Sequence, residues 1–355
     1  MPGPDEPDAA RSGHGGMMVA AEQGRKGMWA ARLHAPGDIR LAEEPVPAAG
    51  PPVTLVRVTA VGICGSDLHW WDDAGIGDAR LERPLVLGHE NAGVIAGGPR
   101  RGQRVAIDPA IPDETCPQCR RGYRNLCPQV RFAGHGVTDG GLSEFLAWPT
   151  SLLYPLPDVL SDADGALLEP LGVALHALDL GHLRLGQSAA VIGCGPIGLM
   201  LIQLLLAGGA SRVVAADPLP HRRQAAVRFG AQAAGPEPAA EGAADVDTAF
   251  EVAETDDAVH AAMTVVRPGG RVVLAGIPDG DRTSFRASVA RRKGLTIAMS
   301  RRMNDAYPRA IALAASGRVD LASLVTRTVP LAEVADAFAT VARREGLKVV
   351  VRPAA

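Results

Sequence analysis

The chain has 355 residues, 47% of them hydrophobic and 21% charged, which is ordinary for a globular protein and long enough for two domains with substantial cores. A formal net charge of −3 shows no general bias toward polyanions, and no basic stretch is interleaved with aromatic residues. We therefore expect a small-molecule partner and no nucleic acid. The most apolar run, 189–208, is interrupted by glycines, Pro196 and Gln203, so it predicts a strand, a turn and a helix rather than a membrane span.

Residues 1–27 are rich in Gly, Ala, Pro and charged residues and lack the apolar core of a secretory signal. We predict a disordered tail there. The abrupt change to strand-like alternation at Met28 leaves open whether Met28 is the true start. Without a secretory signal, and with an odd number of cysteines, the chain is expected to be cytoplasmic.

Short β-rich runs broken by Gly and Pro extend from Met28 to about 150, and two of them lie at 53–62 and 91–97. They predict a barrel-like β domain. This region also carries an isolated Cys64 in GICGSDLHWW and His89 in GHE. A lone histidine is usually structural, so neither residue alone predicts a site.

Three of the five cysteines lie close together in DETCPQCRRGYRNLC, 113–127. Structural zinc takes four ligands, usually thiolates, and C-x2-C spacing lets a tight turn present two of them together. A carboxylate lies at the same interval before the first cysteine, which gives D-x2-C-x2-C-x7-C. The predicted structural zinc ligands are Asp113, Cys116, Cys119 and Cys127. The alternative is a set of chance cysteines on a polar loop.

A second set of ligands is spread along the chain. Cys64, His89, Glu90 and, in an EP dipeptide, Glu169 supply the thiolate, imidazole and carboxylate groups that suit an open zinc site. Such a site keeps a coordination position for water or substrate.

From about Val173 the pattern changes to alternating strand and helix, in AAVIGCG, PIGLMLIQLLLAGGA, SRVVAAD and an Arg- and Ala-rich helix. Further strands at 246–252, 270–277 and 294–300 predict a doubly wound parallel sheet. The segment 235–245 is expected to be a surface loop. The last β runs, VTRTVPL and LKVVVRP, are expected to return to the first domain.

GCGPIG lies between a predicted strand and a predicted helix, the context that the G-x-G-x-x-G pattern requires. The first glycine permits a tight turn, the second lets a pyrophosphate approach the backbone, and the third lets the helix pack closely with its N-terminus facing the phosphates. The predicted cofactor contacts in this turn are Gly193, Gly195, Pro196, Ile197 and Gly198.

Asp217 ends the second strand of this unit, where a carboxylate would accept hydrogen bonds from an adenosine ribose and repel a 2′-phosphate. This favours NAD over NADP. His221, Arg222 and Arg223 lie just downstream, and a solvated helix face is their favoured interpretation. Phosphate binding is the alternative, with Arg222 as the candidate cofactor contact. Cys194, inside the glycine motif, is interpreted as a small core residue rather than a reactive thiol.

Taken in order, GICGSDLH, GHE, the C-x2-C-x2-G-x2-N-x-C cluster, LLEPLGVALHA and GCGPIG resemble the zinc-dependent medium-chain dehydrogenases, and among them the sorbitol and related polyol dehydrogenases. The resemblance covers nearly everything after Met28. It implies an α/β protein with a GroES-like β-rich catalytic domain at 28–172 and 302–355, a Rossmann domain at 173–301, and assembly as a homodimer or homotetramer. The sequence departs from the family in offering Asp113 where relatives usually show a cysteine.

The resemblance also implies roles at the catalytic metal. Cys64 and His89 would bind zinc, and Glu90 would be either a third ligand or a carboxylate just behind the metal. Glu169 would bind zinc directly or hold its water. Asp67 would receive the ring N–H of His89 and fix its tautomer.

Oxidation of a secondary alcohol requires loss of the hydroxyl proton, and zinc makes that proton easier to remove. The resemblance places Ser66 at the substrate hydroxyl, and Ser66 would then relay the proton. His69, three residues on, can pass it to solvent, although a surface histidine is the alternative. Trp70, Trp71, Phe132 and Arg302 fall in regions that line the pocket of polyol dehydrogenases, and a core or surface position is an equally good interpretation of each. Met303 stands where many relatives have tyrosine.

The leading functional hypothesis is an NAD-dependent polyol or secondary-alcohol dehydrogenase. Open alternatives in the same family are dehydrogenases of an amino alcohol such as threonine or of a sugar acid such as idonate. A zinc-free quinone reductase or a non-catalytic dinucleotide-binding relative is a more distant alternative, and Cys64, His89 and the cysteine cluster speak against it. The sequence leaves the particular substrate open.

Overall fold

The structure, a computed structural model, describes residues 27–236 and 245–354. The expected tail at 1–26 and most of the expected loop at 235–245 lie outside the described residues. Gly27, which the sequence pattern assigned to the tail, instead begins the first strand, where it pairs with Pro45. Across the two described ranges the chain forms twenty strands and nine α-helices.

The strands of the β-rich region are β1 (Gly27–Ala35), β2 (Asp38–Pro45), β3 (Val53–Gly62), β4 (Gly75–Ile76), β5 (Ala79–Arg80), β6 (Leu85–Val86), β7 (Glu90–Ile95), β8 (Arg104–Ile107), β9 (Ala110–Ile111), β10 (Arg131–Phe132), β11 (Phe145–Pro149) and β12 (Leu153–Pro155). The later strands are β13 (Ser188–Ile192), β14 (Arg212–Ala216), β15 (Ala233–Gly235), β16 (Val246–Glu251), β17 (Val266–Leu274), β18 (Thr296–Met299), β19 (Val325–Pro330) and β20 (Lys348–Arg352). The helices are α1 (Gly65–Asp73), α2 (Pro117–Arg120), α3 (Asp162–Gly181), α4 (Pro196–Ala207), α5 (Pro220–Arg228), α6 (Asp256–Val265), α7 (Ala287–Lys293), α8 (Tyr307–Ala315) and α9 (Val334–Ala342).

A seven-stranded sheet organises the β-rich region in the order β12-β8-β7-β3-β20-β19, with β11 also pairing with β3. Strand β3 matches the predicted run 53–62, because its β-branched residues suit a pleated surface and Val56 and Val58 are completely buried. Strand β20 runs antiparallel to β3, with Val351 opposite Val61, and β19 runs parallel to β20. The C-terminal strands therefore return to the first sheet, as the sequence predicts.

The second large sheet has six parallel strands in the order β15-β14-β13-β16-β17-β18. This is the 3-2-1-4-5-6 order of doubly wound nucleotide-binding sheets, in which ligands bind where the strand order reverses. Here the reversal lies between β13 and β16, and the glycine motif follows β13. The sequence predicted five of these strands and missed β15, which has only three residues.

Helix α3 joins the two sheets. It begins after Ser161, whose hydroxyl accepts a hydrogen bond from the amide of Asp164 while the Asp164 carboxylate accepts one from the amide of Ser161. The helix contacts β3, β7 and β8 of the first sheet and β16 and β17 of the second. The predicted domain boundary at 172/173 falls inside this helix, and the boundaries themselves stay predictions.

The apolar run 189–208 divides into β13, a glycine turn and α4, as the sequence indicates. No helix within the described ranges is both long and apolar enough to cross a membrane.

Candidate active site

The pairing of two strands brings the first group of candidate ligands together. Antiparallel register places Gly62, at the end of β3, opposite Glu90, at the start of β7. Cys64 follows β3 directly, and His89 precedes β7. One ligand atom each from Cys64, His89 and Glu90 therefore lies within 4.8 Å of the other two. We call these three residues the catalytic cluster.

Two neighbours fix the ring of His89, which is buried. Its Nδ1 lies 3.3 Å from Oδ1 of Asp67, and its Nε2 lies 3.4 Å from the hydroxyl of Ser66. Asp67 Oδ2 also accepts a hydrogen bond of 3.0 Å from the amide of Cys64 and so holds the start of helix α1. Burial lowers the pKa of His89, but the charge and hydrogen bond of Asp67 raise it well above its usual value. An Nδ1–H donated to Asp67 leaves Nε2 as the ring atom able to bind a metal.

Glu90 is paired with a lysine that the sequence analysis missed. The Lys348 ammonium donates to both carboxylate oxygens of Glu90, at 2.6 and 2.7 Å, and to the carbonyl of Ile63 at 3.0 Å. Both side chains are almost fully buried, and although burial lowers the pKa of Lys348, Glu90 raises it above its usual value. Gly62 leaves the space for this pair, because a Cβ there would lie 1.9 Å from Glu90 Oε2. A lysine directly before three consecutive valines in the strand KVVVR is the signal that could have revealed it.

Glu169 reaches the same region from helix α3. It is buried, and burial raises the pKa of its carboxyl to about 7, with a further rise from Glu90 and an opposing effect of His89. Its carboxylate does not belong to the group of ligand atoms that lie within 4.8 Å of one another. Glu169 is thus a buried acid beside the catalytic cluster.

Helix α1 presents the two residues that are expected to carry a proton. Ser66 and His69 are three positions apart, so they lie on neighbouring turns of one helix face, and both are half-buried. Trp70 is buried and meets His135 edge-on at 5.3 Å, and Trp71 stacks on a core phenylalanine at 5.2 Å. Both tryptophans contribute to the packing of α1, as the core interpretation predicts, and a pocket role for them stays a prediction.

Phe132 and Arg302, in contrast, do come to the site. The ring centroid of Phe132 lies 5.4 Å from that of His89, and the guanidinium carbon of Arg302 lies 4.0 Å from the centroid of Phe132. Burial, together with the neighbouring Arg301, lowers the pKa of Arg302 to about 10. Met303, next in the chain, is buried against helix α3.

The cysteine lobe, residues 113–127, brings its four candidate ligands together. One ligand atom from each of Asp113, Cys116, Cys119 and Cys127 lies within 4.8 Å of the other three. Backbone amides of Cys119 and Asp113 approach the sulfurs of Cys116 and Cys127 at 3.4 Å, and Asp113 Oδ1 accepts from the amide of Cys116 at 2.9 Å.

The chemistry of this donor set fits zinc. Metal-ligating thiolates and carboxylates are themselves usually hydrogen-bonded, as these are. Burial and the neighbouring thiols raise the pKa of Cys119 to about 12, so zinc binding there is expected to release protons. None of the cysteines in the described ranges forms a disulfide.

The glycine turn after β13 has the sterics of a dinucleotide site. Gly193 has φ +103°, and a Cβ on Gly198 would lie 1.9 Å from the carbonyl oxygen of Gly193. A Cβ on Gly195 would meet only the Nη1 of Arg222, at 3.7 Å. Gly195 is the N-cap residue of helix α4, which begins at Pro196 and continues with Ile197. The turn thus leaves an open approach to a helix N-terminus, as a pyrophosphate requires.

Asp217 ties the end of β14 to this turn. Its Oδ2 accepts from the amide of Cys194 at 2.9 Å and its Oδ1 from the amide of Leu219 at 2.8 Å. The Cys194 thiol is fully buried, and burial raises its pKa to about 12, in keeping with a core residue.

Arg222 is half-buried, and its guanidinium lies beside the glycine turn. A Cβ on Gly195 would lie 3.7 Å from its Nη1, and its Nε is buried without a hydrogen-bond partner among the described residues. Burial lowers its pKa. A cofactor contact by Arg222 stays a prediction. Arg223 donates to the carbonyls of Asp217 and Pro218, both at 2.8 Å.

Comparisons with known proteins find relatives over most of the chain. The alcohol dehydrogenase GroES-like domain matches residues 50–158, and the zinc-binding dehydrogenase domain matches residues 196–316. Sorbitol dehydrogenase of Gallus gallus is 36% identical over 337 residues, which cover 90% of this chain and 95% of that protein. "Probable D-xylulose reductase A" of Neosartorya fischeri is 35% identical over 335 residues, 88% of this chain and 93% of that protein. The structure of L-idonate 5-dehydrogenase of Escherichia coli matches with a TM-score of 0.86 and 26% identity, over 92% of this chain and 98% of that one.

The chain therefore belongs to the family of zinc-binding dehydrogenases, with a GroES-like domain joined to a Rossmann-type parallel sheet. It is an oxidoreductase, and the expected family, fold class and enzyme class are confirmed.

We expect two zinc ions per chain, one in the cysteine lobe and one at the catalytic cluster. Cys116→Ala and Cys64→Ala should each lower the zinc content of purified protein from two to one, because each removes a ligand from a different cluster. Cys194→Ala is the matched control, since that thiol lies in neither cluster, and it should retain both ions. Elemental analysis of the dialysed proteins measures this. A wild-type content of one zinc would contradict the lobe assignment.

Proposed function

We propose that this protein interconverts a secondary alcohol of a polyol or sugar-like molecule and the matching ketone, with NAD as the redox partner. The observation that carries the proposal is the placement of a Cys/His/carboxylate cluster beside the Ser66 hydroxyl, in a chain that also has an open glycine turn on a parallel sheet. The similar proteins named for sorbitol, D-xylulose and L-idonate support a polyhydroxylated substrate. A sugar acid and an amino alcohol stay the alternative substrates within this family.

The ligands that would hold the catalytic zinc are the Cys64 sulfur and the Nε2 of His89, whose tautomer Asp67 fixes. Zinc bound there would supply Lewis-acid activation of an alcohol hydroxyl, and a dinucleotide whose pyrophosphate lies at the glycine turn would supply the hydride acceptor. We infer that Glu90 stands behind the metal rather than in its ligand shell, because Lys348 occupies both of its oxygens. Glu169, outside the group of mutually close atoms, would hold the water of the site.

The residues of helix α1 would move the proton. Oxidation removes a proton from the substrate oxygen and a hydride from its carbon, so the proton needs a route to solvent. The Ser66 hydroxyl, next to His89 Nε2, is positioned to accept it, and His69 lies one helical turn further on. A hydroxyl can accept one proton and release another, which makes Ser66 a relay rather than a base.

We expect Ser66→Ala to lower kcat for polyol oxidation by about 100-fold or more, with little change in KM for NAD, because the variant lacks the relay but keeps the nucleotide turn. Ser151→Ala, at an exposed position away from the site, is the matched control. Initial rates of NADH formation across a panel of polyols, sugar acids and amino alcohols measure both constants. Undiminished activity after zinc removal would overturn the proposed chemistry.

NAD preference is part of the same proposal, and it rests on the charge of Asp217 at the end of β14. Asp217→Ala should lower the ratio of kcat/KM for NAD to kcat/KM for NADP by at least about tenfold. A tenfold change in this ratio corresponds to a free-energy difference of about 1.4 kcal/mol. The ratio is the right measure, because loss of the bonds to Cys194 and Leu219 would disturb both cofactors alike. Arg222→Ala should weaken the binding of both NAD and NADP and leave the ratio of their kcat/KM values nearly unchanged. A wild-type preference for NADP would contradict this assignment.

We further propose a homodimer or a homotetramer that uses the edge of the parallel sheet. Strand β18 pairs only with β17 among the described strands, helix α7 beside it buries no residue, and Met299 is 67% exposed. An unprotected strand edge with exposed apolar side chains is a common surface for symmetric pairing. Met299→Lys should shift the sedimentation coefficient toward that of the monomer, whereas Val159→Lys, at an apolar residue that is 70% exposed elsewhere, should not.

A cytoplasmic location also belongs to the proposal. The cysteine lobe needs three reduced thiols to bind zinc, and such thiols persist in a reducing compartment.

A further inference from the structure

The segment 301–305, between β18 and α8, has an unusual backbone. Arg302 has φ +55° and Asp305 has φ +47°, both in the left-handed region that non-glycine residues seldom adopt. Such residues persist where surrounding contacts over-determine the conformation, and they cluster at functional sites. We call 301–305 the arginine segment.

Those contacts come from the cysteine lobe, which is distant in sequence. Three side-chain hydrogen bonds cross between the lobe and the arginine segment: Asn125 Nδ2 to the carbonyl of Arg301 at 2.9 Å, Asn304 Nδ2 to the carbonyl of Gly122 at 2.8 Å, and Arg124 Nη1 to Oδ1 of Asp305 at 3.0 Å. Asn125 is only 5% exposed, so its bond is shielded from water. Donors lie on both sides of the junction, and two of the acceptors are backbone carbonyls.

The arginine segment reaches the catalytic cluster through the side chain of Arg302. The Arg302 guanidinium stacks on Phe132, whose ring packs against that of His89. Its Nη1 is buried and has no hydrogen-bond partner among the described residues. A buried guanidinium N–H without a partner is costly, so a substrate oxygen placed there would satisfy it.

We propose that the cysteine lobe positions the substrate-binding side of the active site, and that Arg124, Asn125 and Asn304 do so by holding Arg302 over Phe132. The three are positioning residues, since they act through Arg302 and touch no reacting atom. The proposal rests on the proposed function for its substrate, a polyol hydroxyl as the acceptor of the Arg302 N–H. The alternative is that the same bonds only stabilise the fold.

The positioning can be tested without any assay of activity. Hydrogen exchange of the full-length protein reports the opening of the amides at 301–305. The variant Arg124→Ala/Asn304→Ala should exchange there at least about tenfold faster than wild type. Arg121→Ala removes a charge from an exposed position of the same lobe that donates no side-chain hydrogen bond to the described residues 301–305. This variant should leave the exchange at 301–305 unchanged. Unchanged exchange in the double variant would overturn the proposal.

A double-mutant cycle tests the link to the substrate. Arg124→Ala/Asn304→Ala should raise KM for the polyol about tenfold, with zinc content and KM for NAD unchanged. Adding Arg302→Ala should raise KM no further than Arg302→Ala alone does, because the junction acts only through that side chain. Additive effects would indicate a general structural role and overturn the proposal. Arg124→Lys, in an otherwise wild-type chain, should keep most of the affinity.

Together, the hydrogen-exchange experiment and the double-mutant cycle distinguish a failure of this inference from a failure of the proposed function. If the wild type oxidises no polyol, the proposed function fails, and the exchange at 301–305 still decides whether the lobe holds the arginine segment. If polyols are oxidised but the cycle is additive, the inference fails alone.

Discussion

The buried pair of Glu90 and Lys348 is the interaction on which the rest of the active site depends. A carboxylate with no exposure to water must be neutralised, and here the charge comes from the last strand of the chain. Removing one partner of such a pair typically costs about 3–5 kcal/mol, because the other charge is left buried. The pair also fixes β20 beside β3, so that the C-terminus closes the sheet from which Cys64 and His89 project. Folding of the catalytic cluster therefore requires strand β20, near the C-terminal end of the chain, as well as strands β3 and β7.

Local patterns were enough to predict much of this structure. The run 53–62 forms β3 with the predicted bounds, and the glycine turn lies between a strand and a helix, because alternation, glycine spacing and strand length are properties of adjacent residues. The four candidate ligands of the lobe were recognised in the same way, since they lie within fifteen positions of one another. Each of these features is determined by residues that are close together in the sequence.

Some features made by contacts between distant segments escaped prediction. Nothing near Lys348 indicates that its partner lies 258 positions away, and the position of Arg222 beside Gly195 could not be decided from its polar sequence neighbours. The arginine segment offers no signal of its three bonds to the lobe. In each case the partner is set by how the sheets pack, which a single sequence pattern does not contain.

Helix α3 sets the distance between the catalytic cluster and the parallel sheet. Its middle presents Glu169 to the catalytic cluster, and its C-terminal end packs on the parallel sheet, where a Cβ on Gly181 would lie 2.5 Å from the ring of Phe250. Hydride transfer requires reacting atoms about 3–3.5 Å apart, and a misplacement of about 1 Å can cost 100-fold in rate. This helix is capped at Ser161 and packs against both sheets, so it sets their relative position. Gly181 is therefore important for the geometry of the site, because a side chain there would collide with Phe250 and push the nucleotide-binding sheet away from the helix that carries Glu169.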